Sequence, residues 1–360
     1  MNIKFLIRDL KIEGVQVVVI RLARVLKSHG HNVEIITLYN EKNINSIDDL
    51  TIFSLDIPSD NKNSNSIYNT FNYWYKANYN NFDVLLAPHS ESINLISKFN
   101  DRRLIPYIHN SDENSYNNRN LIRKIKYIYK SRRKLRGKHV ICVSDGVRKF
   151  VEKTCGNKIL SCDVVYNPFD INEIQRLSLE KKESIEFDYL LFVGRLESQK
   201  RIDRLLKSFY LLQNKEIKLV ILGEGSLFDD INNLIHQLNL TDRVIIKKFE
   251  SNPYPIMKKA KCLILTSDYE GFGNVLVEAL SVGTPAVSTN CPSGPSEILT
   301  DNLSHYLIDS YDENVIAQHI DKVLNMKNHP HLSEGYRRFD QDNIYQSFLE
   351  IISQLKNSNH

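Results

Sequence analysis

Two glutamates and a glycine-rich turn lie within one short stretch of the 360-residue chain, residues 267–289 (SDYEGFGNVLVEALSVGTPAVST). Glu270 precedes the turn, Gly273 ends it, and Glu278 follows among apolar residues. The apolar run Cys262–Leu265 predicts a buried strand before the turn, and the composition after it predicts a helix. Main-chain N–H groups at the start of a helix attract anions, and glycine lets a phosphate approach them closely. The stretch therefore predicts a phosphate site, in which Glu278 needs a polar partner such as a pair of ligand hydroxyls.

A second group of charges follows another predicted strand. In the segment YLLFVGRLESQK an apolar run ends at Gly194, followed by Arg195 and, six residues after the glycine, Lys200. Cations at the carboxyl end of a strand can neutralise a diphosphate, and arginine can bind two of its oxygens at once. On their own, these cations and the two glutamates also fit ordinary solvated charges at the ends of strands and helices.

The sequence predicts no metal requirement. A metal that held a diphosphate would need paired carboxylates, and the one Asp-X-Asp triplet, from Asp340 to Asp342, opens a predicted helix, where acidic residues cap the N-terminus. The five cysteines are odd in number and show no Cys-X-X-Cys spacing. This favours reduced thiols, a cytoplasmic location and no metal cluster.

The stretch from Glu270 to Glu278 is followed by GTPAV at 283–287 and by NCPSGPSE at 290–297. Together these motifs resemble the signature of the retaining family 4 glycosyltransferases, of the type that builds bacterial surface glycans, lipid-linked oligosaccharides or lipopolysaccharide. The resemblance implies a GT-B fold, a nucleotide-sugar donor with UDP-sugar favoured over GDP-sugar, and retention of configuration at the transferred sugar.

The resemblance also implies a role for each motif. Arg195 and Lys200 match positions that contact the donor diphosphate in this family, Glu270 matches the residue on the donor sugar, and Glu278 matches the one that accepts from the ribose hydroxyls. The strand end at 248–250 matches the segment that holds the base. The implied donor-binding set is Gly14, Arg195, Lys200, Gly223, Lys248, Phe249, Glu270, Gly271, Phe272, Gly273, Asn274, Val275 and Glu278.

Two of the implied site residues lie in the first half of the chain. Gly14 follows the first predicted strand, where many family members carry two glycines beside the donor phosphate and this chain has one. His109 ends the predicted strand RLIPYIH, at the strand end where open α/β sheets bind ligands. The resemblance implies that His109 touches the donor sugar near the reacting carbon. The implied catalytic set is Glu270, His109, Arg195 and Lys200.

Alternating strands and helices position these residues. The alternation predicts an α/β fold of GT-B type, with two Rossmann-like doubly wound domains facing a central cleft. We place the domains at 1–168, for the acceptor, and 189–339, for the nucleotide-sugar. A polar linker is predicted at 169–188, and a last helix, 340–356, is predicted to return to the first domain.

The first half also contains less patterned segments. The opening MNIKFLIRDL predicts a first strand and not a signal peptide, because its apolar burst is short and ends in charge. Residues 40–81 are rich in Asn, Ser and Asp and predict a long connection with one helix near 67–79. No apolar run has the length needed to span a bilayer.

Positive charge is concentrated in the first half. Residues 1–168 hold 26 Lys and Arg against 16 Asp and Glu, whereas the remainder holds 21 against 27. Residues 119–138 contain ten basic residues, no acid, and apolar residues at helical spacing. They predict a basic helix that contacts an anionic membrane surface while its apolar face packs on the sheet; a core helix with a solvated basic face is the alternative. The predicted membrane and acceptor residues are Arg123, Lys124, Lys126, Lys130, Arg132, Arg133 and Lys134.

We therefore expect a retaining, metal-independent glycosyltransferase, peripheral on the inner face of the cytoplasmic membrane and without a nucleic-acid partner. It would move a hexose or N-acetylhexosamine from a UDP-sugar to a hydroxyl of a lipid-linked glycan, in surface polysaccharide or lipopolysaccharide synthesis. A GT-B sugar-nucleotide 2-epimerase stays open as an alternative and would need an acid and a base flanking the sugar. A non-catalytic membrane-binding protein is the other alternative, and it would leave the charged residues of the second half unexplained.

Overall fold

The computed structural model describes residues 1–11, 14–41, 47–60, 63–181 and 185–357. The chain forms two compact units: unit 1 is Met1–Pro168 with Gln341–His360, and unit 2 is Phe169–Asp340. Each unit contains a parallel β-sheet whose strands alternate along the chain with helices. The predicted α/β class with two Rossmann-like domains is confirmed.

The strands alternate with helices in chain order. They are β1 (Asn2–Ile7), β2 (Asn32–Tyr39), β3 (Thr51–Ile57), β4 (Val84–Ala87), β5 (Leu104–Ile108), β6 (His139–Cys142), β7 (Ser161–Val164), β8 (Tyr189–Val193), β9 (Lys218–Leu222), β10 (Val244–Lys247), β11 (Cys262–Leu265), β12 (Ala286–Thr289) and β13 (Leu307–Ile308). The α-helices are α1 (Gly14–Ser28), α2 (Ser64–Ala77), α3 (Ser90–Ile96), α4 (Glu113–Asn117), α5 (Leu121–Leu135), α6 (Asp145–Cys155), α7 (Ile171–Leu177), α8 (Ile202–Leu211), α9 (Phe228–Gln237), α10 (Tyr254–Lys259), α11 (Asn274–Ser281), α12 (Pro295–Ile298), α13 (Glu313–Leu324) and α14 (Gln341–Asn357).

The strand order is β3-β2-β1-β4-β5-β6-β7 in unit 1 and β10-β9-β8-β11-β12-β13 in unit 2. The paired strands run parallel throughout the described residues. Central strands such as β4, β8 and β11 are apolar along their whole length and buried at every position, because helices cover both faces of a doubly wound sheet. The carboxyl ends of all strands in a unit consequently share one edge of its sheet.

One strand of unit 1 was not predicted. Residues 40–81 contain β3 as well as the helix α2, which begins at Ser64 and not near residue 67. β3 is an edge strand whose residues are mostly exposed or half-buried, so its sequence TIFSLDI lacks the apolar run by which the central strands were recognised.

The last helix, predicted to return to the first domain, packs on unit 1. The ring of Tyr345 stacks on that of His29 at 3.7 Å between centroids, and its hydroxyl lies 3.0 Å from Nε2 of His31. Lys356 forms an ion pair with Asp83 at 2.8 Å. The helix is therefore bound at both of its ends.

The predicted linker at 169–188 is instead largely part of unit 2. Helix α7 begins after Asp170, whose carboxylate accepts a hydrogen bond from the main-chain N–H of Glu173 at 2.9 Å. Ile171 and Ile174 are buried. These two apolar positions are three residues apart among polar residues, and two positions are too few to indicate a helix from the sequence. Residues 182–184 of the predicted linker lie outside the described ranges.

Helix α5 does not pack its apolar face on the sheet, and that expectation was wrong. Leu121, Ile122, Ile125 and Tyr129 are 58–73% exposed, and Leu135 is the buried residue of the helix. Periodicity shows that a helix is amphipathic but not which surroundings meet its apolar face. Within the described residues, no helix is both long enough and apolar enough to cross a membrane.

Candidate active site

The predicted donor residues of unit 2 converge on one edge of its sheet. The order β10-β9-β8-β11 reverses direction along the chain between β8 and β11, which makes this pair the topological switch point of the sheet. Open α/β sheets bind ligands outside the carboxyl ends of the strands at such a point. The loop after β8 carries Arg195 and Lys200, and the loop after β11 carries Glu270.

Lys200 and Glu270 meet directly across the switch point. The Lys200 Nζ atom lies 2.6 Å from Glu270 Oε1, and the two side chains are 16% and 7% exposed. The hydroxyl of Ser267 donates to the same carboxylate oxygen at 2.6 Å. A buried carboxylate is therefore neutralised by one cation and oriented by one hydroxyl, in the position where a ligand is expected.

Hydrogen bonds between the two loops hold this pair in place. The side-chain amide of Gln199 donates to the carbonyl of Tyr269 at 2.7 Å, and the N–H of Asp268 donates to the carbonyl of Gln199 at 3.0 Å. Arg204, 5% exposed, donates to the carbonyl of Thr266 at 2.7 Å and pairs with Asp268 at 2.8 Å. These contacts tie together the segments on either side of the Lys200–Glu270 pair.

Helix α11 starts immediately after the loop that carries Glu270. Gly273 precedes it with φ +97°, a left-handed conformation that suits glycine. The first turn, Asn-Val-Leu-Val, contains no acid, so no carboxylate of that turn neutralises the positive end of the helix dipole. Glu278 is 8% exposed and lies one turn beyond Asn274, on the same helix face. The burial of Glu278 excludes the alternative of a solvated mid-helix glutamate.

Two close approaches of the main chain shape this edge. A Cβ atom on Gly223 would lie 1.9 Å from the carbonyl oxygen of Gly194, so only glycine lets the ends of β8 and β9 come together. A Cβ atom on Gly294 would lie 1.9 Å from the carbonyl oxygen of Phe272, in the turn before α11. At both positions a larger residue would force the two main-chain segments apart.

The remaining donor side chains of unit 2, those of Arg195, Lys248 and Phe249, follow strands β8 and β10 at the same edge of the sheet. Arg195 is exposed, and no described carboxylate lies within 4 Å of its guanidinium. Lys248 and Phe249, which follow β10, are exposed as well, Phe249 by 43%. Because β10 is the edge strand, these residues lie beyond β9 from the switch point.

A cysteine near the ion pair offers no nucleophile. Cys291 is 2% exposed, and burial raises the pKa of its thiol, with the negative charge of Glu270 acting in the same direction. A neutral thiol is a poor nucleophile. The groups available for chemistry at this edge are therefore carboxylate, cations and main-chain N–H groups.

The predicted site residues of unit 1 line or adjoin a separate feature of that unit, a cavity of about 1110 Å³. His109 follows β5, and His89 follows β4; Val15, next to Gly14 at the start of α1, also lines the cavity. In unit 1 the strand order reverses between β1 and β4, so the cavity lies beside this unit's switch point. Among the described residues no atom hydrogen-bonds with the buried Nε2 of His109. Burial lowers the pKa of His109 to about 3, and the imidazole is neutral at ordinary pH.

The sequence matches family descriptions along nearly its whole length. Residues 12–173 match Glycosyltransferase Family 4, and residues 175–338 match Glycosyl transferases group 1. The chain belongs to the family 4 glycosyltransferases with GT-B fold.

Individual family members are similar over shorter stretches. The N-acetylgalactosamine-N,N'-diacetylbacillosaminyl-diphospho-undecaprenol 4-alpha-N-acetylgalactosaminyltransferase of Campylobacter jejuni is 35% identical over 163 residues, 45% of this chain and 44% of that protein. The lipopolysaccharide 1,6-galactosyltransferase of Escherichia coli is 29% identical over 208 residues, 54% of this chain and 56% of that protein. The chain spans about half the length of the curated relatives it matches.

Among solved structures, the Anabaena protein HepE in complex with UDP and glucose superimposes with a TM-score of 0.78. The two are 18% identical, and the match covers 98% of this chain and 100% of that one. At this identity the likeness concerns the fold, and it agrees with the GT-B architecture expected from the family.

Sequence reasoning missed the residues that support the Lys200–Glu270 pair. Ser267 begins the stretch 267–289, and its position three residues before Glu270 is the signal that could identify it. Gln199 and Arg204 donate to main-chain carbonyls of a loop that is 70 and 62 residues away in the sequence, respectively, which no local pattern shows. Within the described part of the chain no three His, Cys, Asp or Glu side chains gather as a metal group would require; metal independence stays a prediction.

Proposed function

We propose that this family 4 member is a retaining, metal-independent glycosyltransferase. It transfers a hexose or N-acetylhexosamine from a UDP-sugar to a hydroxyl of a lipid-linked glycan in surface polysaccharide or lipopolysaccharide synthesis. In this reaction the bond between the sugar carbon and the diphosphate breaks and UDP leaves with the bonding electrons. The acceptor oxygen bonds to the sugar, and its proton passes to the departing diphosphate or to water.

The observation that carries the proposal is the Lys200–Glu270 pair beside the start of α11, at the switch point of unit 2. Departure of UDP builds negative charge on the diphosphate, and fixed positive groups lower the energy of that state. Lys200, the exposed guanidinium of Arg195 and the N–H groups at the start of α11 supply such charge without a metal. The Glu270 carboxylate is an acceptor for a hydroxyl of the donor sugar, and Glu278 is one for the ribose.

The choice of donor and acceptor rests on relatives. HepE was solved with UDP and glucose, and the Campylobacter and Escherichia relatives are named as N-acetylgalactosaminyl and galactosyl transferases. Their names also specify acceptors, a diphospho-undecaprenol-linked saccharide and lipopolysaccharide. These names support a UDP-hexose or UDP-N-acetylhexosamine donor and a lipid-linked acceptor for this chain.

Peripheral membrane contact is part of the proposal. The exposed apolar residues of α5 flank basic ones, and a helix with this composition lies in the interface of an anionic membrane with its apolar face inserted. Of the predicted membrane residues, Lys124, Arg132 and Arg133 lie outside the cavity of unit 1, and Arg132 and Arg133 are exposed.

The test is a screen of nucleotide-sugars by calorimetry, followed by slow hydrolysis assays with and without EDTA. We expect a UDP-sugar to bind and to be hydrolysed slowly to UDP and a free sugar. The free sugar first appears with the same anomeric configuration as in the donor, and EDTA does not change the rate of hydrolysis. Isotope exchange at the sugar C2 without transfer would favour the epimerase instead. Failure of every UDP-sugar to bind would refute the proposed donor.

A further inference from the structure

The residue that follows Lys200 has an unusual backbone conformation. Lys200 ends the 3₁₀ helix Ser198–Lys200, and helix α8 begins at Ile202, so the chain changes direction at Arg201. Arg201 has φ +50° and ψ +51°, which is the left-handed conformation. Residues other than glycine disfavour this conformation, because the Cβ atom approaches the following carbonyl oxygen. Backbone strain is therefore present next to a residue of the candidate site, where such strain often has a functional reason.

The side chain of Arg201 binds two carboxylates. Its Nε and Nη2 atoms donate to the two oxygens of Asp203 at 2.9 Å each, and its Nη1 atom donates to Oδ2 of Asp268 at 3.2 Å. We call these contacts the Arg201 clasp. The planar guanidinium is suited to bind two carboxylates at once, which the ammonium of a lysine could not do in the same geometry. Because all three nitrogen atoms already contact carboxylates, the guanidinium is not presented to a donor diphosphate.

The Arg201 clasp connects the two loops of the ion pair. Asp268 lies in the loop after β11, two residues before Glu270, whereas Arg201 directly follows Lys200. The hydroxyl of Thr266, a residue that is 1% exposed, lies 3.2 Å from the carbonyl oxygen of Lys200 and 3.1 Å from that of Arg201, and donates to them. The turn at Arg201 is thus fixed to the segment that carries Glu270, and it sets the direction from which the Lys200 side chain approaches that carboxylate.

We propose that Arg201 is a positioning residue for glycosyl transfer: its left-handed turn directs Lys200 toward Glu270, and the Arg201 clasp holds the turn in that conformation. This inference rests on the proposed function, to which it adds a residue that acts through Lys200 and does not touch the donor. Glycine at this position would need no clasp, because it adopts the left-handed conformation without steric cost. A residue that has a Cβ atom but no clasp would leave the conformation for part of the time, and Lys200 would move with it.

The first experiment compares kcat/KM for hydrolysis of a UDP-sugar between the full chain and its variants, with UDP-N-acetylgalactosamine, UDP-galactose and UDP-glucose as the substrates tried. Arg201→Gln keeps the Cβ atom and loses the clasp, and we expect about a 10-fold lower kcat/KM, the factor to which the strain of one left-handed residue amounts. Arg201→Gly loses the clasp and the strain together, so its kcat/KM recovers to within about 3-fold of the parent. Arg176→Gln is the matched control, because Arg176 also binds one carboxylate through two nitrogen atoms, that of Glu173 at 2.6 and 2.7 Å, and its loss leaves kcat/KM unchanged.

Two results of this experiment would overturn the proposal. An equal loss in Arg201→Gly and Arg201→Gln would show that the guanidinium itself is needed, as it would be in direct contact with the diphosphate. Activity of Arg201→Gln equal to that of the parent would show that the clasp does not hold Lys200 in place.

The second experiment needs no donor. It measures the coupling between Lys200 and Glu270 in stability, from urea unfolding of Lys200→Met, Glu270→Gln and the double variant. We expect this coupling to fall to less than about half of its parent value when Arg201→Gln is added, and to be retained when Arg201→Gly is added. Unchanged coupling in the presence of Arg201→Gln would overturn the proposal. A parent chain that hydrolyses no UDP-sugar would count against the proposed function and would leave the result of this second experiment unaffected.

Discussion

The ion pair of Lys200 and Glu270 allows a prediction in which the two partners behave oppositely. In the empty protein the charge of Lys200 is neutralised by Glu270 at 2.6 Å. If Lys200 contacts the donor diphosphate, the ligand competes with Glu270 for it. Lys200→Met therefore weakens UDP binding at least about 10-fold, since it removes a charged contact. Glu270→Gln binds UDP as tightly as the parent or more tightly, because the competing carboxylate is gone, yet loses transfer by orders of magnitude.

The magnitude for stability follows from burial. Removal of one partner from a buried ion pair leaves an uncompensated charge and costs about 3–5 kcal/mol. Glu270 is the more deeply buried partner, so Lys200→Met is at the upper end of this range and Glu270→Gln at the lower end. The double variant contains no unpaired charge and is less destabilised than Lys200→Met alone, which gives a coupling energy of at least about 3 kcal/mol.

Calorimetry with UDP and urea unfolding provide the two measurements. Trp74, the only tryptophan, is in unit 1, so far-UV circular dichroism is needed to follow unit 2 and Trp74 fluorescence serves as an internal control. Additive stability effects would show that the pair is not coupled. A fall in UDP affinity in Glu270→Gln as large as that in Lys200→Met would refute the competition argument.

Three further predictions concern other parts of the chain. The pKa of His109 is lowered from 6.5 to about 3 in the folded protein, so below pH 6.5 the unfolded chain binds one proton that the folded chain does not. The free energy of unfolding therefore falls as the pH falls. His109→Gln lowers the slope of this dependence by about 1 kcal/mol per pH unit between pH 6.5 and 5, as measured by unfolding followed by tryptophan fluorescence. Gly223→Ala lowers the free energy of unfolding by about 1–3 kcal/mol, because the new Cβ atom clashes with the carbonyl oxygen of Gly194. Gly14→Ala has no atom within 4 Å of the new Cβ atom, so this variant keeps its stability but loses transfer activity. Leu121→Ser with Ile125→Ser lowers binding to anionic vesicles about 10- to 100-fold and leaves stability unchanged, since both side chains are exposed.

Each of these predictions has a contrary outcome. An unchanged acid slope in the histidine variant would mean that the ring is solvated in the folded protein. Full transfer activity in Gly14→Ala would remove that residue from the donor site. Normal vesicle binding by the α5 variant would show that this helix does not insert into the membrane.

Much of the fold could be predicted from local sequence patterns. The central strands of both sheets are continuous apolar runs, and the helices between them have apolar residues at regular helical spacing. The strand–helix alternation of a doubly wound fold could therefore be predicted from the sequence. The strand β3 and helix α7 escaped because one lies at a sheet edge and the other buries only Ile171 and Ile174. Neither has a long enough apolar pattern to stand out from loop sequence.

Part of the candidate site could also be predicted from the sequence. Motif and resemblance identified Glu270 and Lys200, and the structure brings them into contact across the switch point. The supporting bonds from Gln199 and Arg204 depend on how two distant loops fold together, and the direction of the apolar face of α5 depends on what surrounds it. Sequence periodicity contains neither piece of information.

The most direct test of the central claim is hydrogen–deuterium exchange of the full chain with and without UDP. If the diphosphate lies against the main-chain N–H groups at the start of α11, residues 271–276 exchange more slowly when UDP is bound, as does the loop that contains Lys200. If UDP binds and these segments exchange at unchanged rates, the diphosphate lies elsewhere and the account is contradicted.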